Sequence, residues 1–220
     1  MSVTSRSTVA LLVDAGGVLF NNVTEESRFI EILAARWKIG QQDLLVALDS
    51  LDAAYETDSE DVIDVLRKIV CAAGGRSLTD GDARWLEETY GEQVTSIAPA
   101  FEALAAIRVD HPTVSLVLAN NEARRWDMVK NARFGHFALF DRIASSWAVG
   151  LVKPEPEYFK AVGRMIGMPL SSTILVDDNP DVLAEAGALG MRTVRVIDRV
   201  WPKHELDEAI ATVQNIESTR

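Results

Sequence analysis

Hydrophobic positions along this chain follow two rhythms, and the change between them outlines a fold. Val9–Val13 is an unbroken apolar run that stops at Asp14, followed by Gly16 and Gly17 and a second apolar run, residues 18–20. A short apolar run bounded by turn residues predicts a strand covered on both faces. From about residue 22 the spacing turns helical. Phe29, Ile32, Leu33 and Trp37 mark one helix in residues 25–38, and Leu44, Leu45, Leu48 and Leu51 a second in residues 43–55. Ser59 is the expected N-cap of a third, with Val62, Ile63, Leu66, Ile69 and Val70 inside it. Trp85, Leu86 and Tyr90 mark a fourth, in residues 82–93. Residues 22–96 show no strand pattern, so an all-helical module is expected after the first strand.

Beyond Pro99 the two rhythms alternate. Strands are predicted at Val114–Leu118 and at residues 142–145, 174–176 and 192–197. Helices are predicted at residues 101–107, 122–133, 157–166 and 203–216, with another that Asn179 caps, Pro180 opens and Gly190 stops. Such alternation implies a parallel sheet. Three strands run into polar groups: Asp14, then Asn120 behind Ala119, then Asp177 and Asp178. A parallel sheet puts all of these on one edge, where ligands of open α/β sheets bind. A single Asp there is equally well an ordinary surface acid closing a strand. Several carboxylates with a backbone carbonyl and water make a hard-oxygen site that suits Mg²⁺. Lys153, in the loop of residues 147–156, can reach the same edge and offset the negative charge.

A chain of 220 residues with 48% hydrophobic content fits one large domain or a core with an inserted one. Its 33 acidic against 22 basic residues, net −11, make it a poor partner for nucleic acid or an anionic membrane. A single cysteine, Cys71, excludes an internal disulfide, fits a reducing compartment and reads as a small buried residue on a helix. Residues 1–8 hold one Arg and no apolar signal core, and no apolar run reaches membrane-spanning length. A cytoplasmic protein is expected. The oligomeric state is not written in any of these patterns.

Four blocks resemble the motifs of the haloacid dehalogenase (HAD) superfamily, in the order and spacing of that family: VDAGGVLF, LVLANN, VGLVKPEPEYF and ILVDDNPDVLAEAGALGM. Together they span residues 9–197, and the helical block falls where one subfamily, which includes proteins resembling glucose-1-phosphate phosphatase, inserts a cap. The resemblance implies a Rossmann-like three-layer α/β core with a parallel sheet, residues 1–21 and 97–220, and an inserted all-helical cap domain, residues 22–96. It implies Asp14 as nucleophile and metal ligand, the carbonyl of Gly16 with Asp177 and Asp178 as further Mg²⁺ ligands, and Lys153 holding nucleophile and phosphoryl group together. Ala119 and Asn120 take the places that bind the transferring group. The implied activity is a Mg²⁺-dependent phosphatase acting on a small phosphorylated metabolite through an aspartyl-phosphate.

Two positions depart from the family pattern. Gly16 stands where phosphatases of this family usually carry a second Asp as general acid and base, a function worth roughly 10²–10⁴ in rate. Ala119 stands where the family has Ser or Thr, which leaves backbone N–H groups and the Asn120 amide as donors. Dehalogenases also lack the second Asp, so a 2-haloacid dehalogenase is one alternative, and a catalytically weakened binding or regulatory protein is another. Arg124 and Arg125 are candidates to approach an anion or simply solvated charge. Trp147 lies near enough to Lys153 in sequence to touch substrate. Asn21 and Asn22 read as hinge or contact residues, Asp181 as a first-turn acid. His111, before a strand and at the edge away from these residues, reads as a loop residue, and His136 and His204 have no metal-ligand spacing.

Overall fold

The structure is a computed structural model that describes residues 9–218; the N-terminal stretch expected to lack a signal core lies outside the described residues. Five parallel strands form one sheet: β1 (Val9–Val13), β2 (Val114–Leu118), β3 (Arg142–Ile143), β4 (Thr173–Asp177) and β5 (Arg192–Arg195), in the spatial order β3-β2-β1-β4-β5. The central strands β1 and β4 are buried at every residue, which explains why they read as continuous apolar runs. Successive side chains of β1 enter opposite layers. Val9, Leu11 and Val13 join a large core cluster, while Ala10 and Leu12 join a second one with Tyr158, Phe159 and Val182. Helices therefore cover both faces, as in a three-layer α/β fold.

Seven helices separate β1 from β2: α1 (Val23–Glu26), α2 (Phe29–Trp37), α3 (Gln41–Asp49), α4 (Asp52–Glu56), α5 (Val62–Ala72), α6 (Asp80–Gln93) and α7 (Ala98–Asp110). The later helices are α8 (Arg124–Phe134), α9 (Ser146–Val149), α10 (Pro156–Ile166), α11 (Pro180–Ala188) and α12 (Lys203–Ser218). The helix expected over residues 43–55 is two helices. The Ser50 hydroxyl bonds the Ala47 carbonyl at 2.8 Å, and the Asp52 carboxylate takes the Ala53 N–H at 2.5 Å. Such local side-chain bonds offer the backbone an exit from the helix. Asp61, not Ser59, caps α5 by accepting the Ile63 N–H at 2.8 Å, while the Ser59 hydroxyl bonds back to the Ala54 carbonyl at 2.9 Å. Cys71 is exposed rather than buried, because Val62, Ile63, Leu66, Ile69 and Val70 take the inward face of α5. Asn179 caps α11 as expected, accepting the Asp181 N–H at 2.9 Å.

The chain leaves the sheet and returns to it at adjacent points. Phe20 bridges Ser96, and the Asn21 N–H donates to the Thr95 carbonyl at 3.1 Å. The buried Asn21 side chain accepts the Thr95 N–H at 2.7 Å and donates to the Gln93 carbonyl at 3.1 Å. Among the described residues no helix is long and apolar enough to cross a membrane.

Candidate active site

Strand register builds the site. Val13 pairs with Leu118 on one side and with Val176 on the other. One step beyond, Asp14, Ala119 and Asp177 stand side by side at the carboxyl edge of the sheet. This is where the strand order turns from one side of β1 to the other. Asp14, Asp177 and Asp178 bring a carboxylate oxygen each within 4.8 Å of one another. The buried Lys153 ammonium donates to Asp14 Oδ1 at 2.8 Å and to Asp177 Oδ2 at 2.6 Å. Its backbone is clamped by Asn121, whose amide donates to the Lys153 carbonyl and accepts the Lys153 N–H, both at 2.8 Å. These residues line an open cleft of about 610 Å³.

The electrostatics are those of largely buried charges at the floor of a cleft. Burial pushes the Asp14 carboxyl up to about 7; Asp177 and Asp178 add to this and Lys153 opposes it. Burial, then Asp177, raise Asp178 as well. Burial works against the Lys153 charge, but Asp14 and Asp177 outweigh it and hold the ammonium protonated. Three carboxylates against one ammonium leave a deficit of two positive charges, and oxygen donors at this spacing suit a hard divalent cation.

The glycines of the first turn are fixed by their neighbours. Gly17 has φ of +65°, and a Cβ there would lie 1.9 Å from Asp178 Oδ2. Only glycine allows the turn to pass so close to that carboxylate. At Gly16 a Cβ would meet Asn22 Oδ1 at 2.4 Å, so the Asn22 amide occupies the space a larger residue would need.

The groups expected to bind the phosphoryl group at residues 119 and 120 already have partners within the protein. The Ala119 N–H is used within the sheet, on the Val13 carbonyl at 2.8 Å. The Asn120 amide is committed at both ends. Its nitrogen donates to Asp127 Oδ1 at 3.1 Å, and its oxygen lies 2.5 Å from the Ser145 hydroxyl. Asp127 is fully buried and also takes the Trp147 indole N–H at 2.8 Å, so Trp147 is turned into this network. Neither arginine offers an anion site. Arg125 bridges Asp61 and Glu87, at 2.6 Å and 2.5 Å, and Arg124 pairs with Asp58 at 3.3 Å. The signal for Asn121 was its place just past the end of β2; nothing local marked which of the two asparagines would reach Lys153.

A second space adjoins the cleft through Gly16, Asn22 and Asn121. It is a more enclosed cavity of about 220 Å³ between the helices and the sheet edge. Lys130 lies buried in its wall, paired with Glu122. Glu122 also accepts from the Tyr90 hydroxyl at 3.0 Å. Burial, followed by Glu122 and Asp52, pushes the Glu56 carboxyl of this cavity up to about 8.

No family model matches the chain. A glyceraldehyde 3-phosphate phosphatase from Methanocaldococcus jannaschii is 25% identical over 218 residues, 90% of this chain and 89% of that one. A drimenol cyclase from Aspergillus calidoustus is 36% identical over 80 residues, 36% of this chain, and the match spans only 14% of that protein's length. A HAD family enzyme from Bacteroides thetaiotaomicron, solved with magnesium and inorganic phosphate, superposes with a TM-score of 0.73 at 21% identity, covering 90% of this chain and 98% of that one. An L-2-haloacid dehalogenase from Xanthobacter autotrophicus superposes with a TM-score of 0.60 at 18% identity, covering 94% of this chain and 83% of that one. The chain shares its fold with these two solved enzymes, the HAD family enzyme and the dehalogenase.

Proposed function

We propose that this chain is a Mg²⁺-dependent phosphatase of the HAD type, acting in the cytoplasm on a small phosphorylated metabolite with Asp14 as nucleophile. The observation that carries the reading is Lys153, bonded to both Asp14 and Asp177 inside a triangle of carboxylates. In this reading residues 22–96 act as a cap over a core of residues 1–21 and 97–220. Asp14, the Gly16 carbonyl, Asp177 and Asp178 would hold the metal, which when bound neutralises charge on the phosphoryl oxygens and on the nucleophile. An Asp14 oxygen bonds to phosphorus as the bond from phosphorus to the leaving oxygen breaks. Water then attacks phosphorus, the bond to Asp14 breaks, and inorganic phosphate leaves with Asp14 restored. Lys153 holds Asp14 in place and stabilises the charge that gathers on the phosphoryl oxygens. Ala119 and Asn120 contribute position rather than side-chain donors. The leaving oxygen finds no proton donor at residue 16, which favours good leaving groups such as acyl phosphates and anomeric sugar phosphates.

The test is phosphate release from a panel of phosphorylated metabolites, with and without Mg²⁺, beside Asp14→Asn. The expected result is metal-dependent release that the variant abolishes. No release from any member, by folded protein that still binds Mg²⁺, overturns the proposal. The glycine at position 16 equally favours a dehalogenase that uses Asp14 on a carbon–halogen bond, while the cluster of three acids counts against it; halogenated acids therefore belong in the panel. Ligand binding without turnover would point instead to a weakened, regulatory member.

A further inference from the structure

We infer that the enclosed cavity behind Gly16 and Asn22 receives the leaving group, and that it admits small uncharged, hydroxyl-bearing groups while rejecting those with a second negative charge. This rests on the phosphatase reading of the adjoining cleft. At about 220 Å³ the cavity is smaller than the pockets of drug-sized ligands, and suits a group of roughly three to six carbons. Phe29 and Trp126 supply apolar wall. Five polar side chains lining it, Asn22, Thr24, Glu25, Tyr55 and Glu56, form no side-chain hydrogen bond or ion pair with the described residues. They are available to the hydroxyls of a sugar or polyol. A second anion has no such partner. Lys130 is the one cation among the described residues of the lining, and Glu122 already pairs with it. A buried anion there would meet carboxyl groups and no free counter-charge. Glu56 reports the same field: burial and then Glu122 already resist a negative charge on it.

Matched pairs of anomeric sugar phosphates, whose leaving groups need no acid, test this: glucose 1-phosphate against glucuronate 1-phosphate, and ribose 1-phosphate against ribose 1,5-bisphosphate. The member whose leaving group is uncharged is expected to be preferred by about 100-fold in kcat/KM, the scale of a like-charge clash. Glu56→Lys supplies the missing cation and is expected to shift the ratio toward glucuronate 1-phosphate by at least about tenfold. Glu56→Gln, which keeps the shape should the lysine variant not fold, is expected to narrow the gap above about pH 8, where Glu56 otherwise carries its charge. Calorimetric binding of the same pairs to Asp14→Asn in Mg²⁺ reads the preference without turnover. Equal turnover of both members, or a ratio that neither Glu56 variant moves, overturns the cavity assignment alone. The binding preference without any turnover by the wild type keeps the cavity and overturns the hydrolase.

Discussion

The Asn22 amide fills the space beside Gly16 that a general acid would occupy, and it is the flexible end of a side chain. Gly16→Asp alone is therefore expected to cost about 1 kcal/mol in stability through crowding. Paired with Asn22→Ala it is expected to raise kcat/KM on esters with poor leaving groups roughly 10- to 100-fold. Rates across phosphate esters of graded leaving-group pKa check this, with a steep dependence in the wild type and a shallower one in the double variant. An unchanged slope would show that proton donation is not what position 16 lacks. Sequence made the glycine visible, but not Asn22, because the conflict is a contact made in space. His136 is a second residue whose role only the fold reveals. It is fully buried between Phe20 and Phe137, and neither ring nitrogen has a partner. Burial, then Lys130, lower its pKa from 6.5 to about 4. The unfolded chain thus binds this proton more readily. The stability it permits is whole above pH 6.5 and is lost as pH falls toward 4, by roughly 3 kcal/mol. Urea melts of wild type and His136→Phe from pH 4 to 7.5 should diverge on the acid side, with the variant the flatter; parallel curves would exclude this account.

Elements with an unambiguous period were legible, and those set by a few local bonds were not. Buried parallel strands such as β1 and β4 announce themselves as apolar runs. The break between α3 and α4 hangs on Ser50 and Asp52, and β3 is only two residues long, too short to carry a period. The meeting of Asp14, Asp177 and Asp178 was legible because a parallel sheet sends every strand end to one edge. The partners of Asn120 were not legible, because side-chain direction past a strand end depends on Asp127 and Ser145, from α8 and from the residue capping α9. The junction between helices and core is likewise a matter of contacts, with Asn21 stitching the outgoing chain to the returning one. Asn21→Ala removes two buried hydrogen bonds and is expected to cost about 2 kcal/mol. For a chain of this size that is a fall in Tm of roughly 4–8 °C, measurable by calorimetry. A shift under a degree would mean that the helices are held by their other links, such as Arg125 to Asp61 and Glu87.

At the scale of the whole molecule, the site works against the fold that carries it. An acidic chain, net −11, gathers Asp14, Asp177 and Asp178 at one edge with a single ammonium among them. Burial and mutual repulsion raise Asp14 and Asp178, so keeping both charged strains the metal-free protein. Asp178→Asn removes one of the repelling charges, so in chelator it is expected to melt at or above the wild-type temperature. Mg²⁺ reverses the order. At about 100 times its dissociation constant a ligand of the native state adds about 2.7 kcal/mol, or roughly 5–10 °C here, and the variant, short of one ligand, gains little. The two proteins should therefore exchange rank between chelator and Mg²⁺ in the same melting experiment. An Asp178→Asn protein less stable than wild type in both conditions, with equal gains from the ion, would mean that this carboxylate serves the packing of its loop. Exchange of rank would place its value in the bound metal, where function gains what the empty site costs the fold.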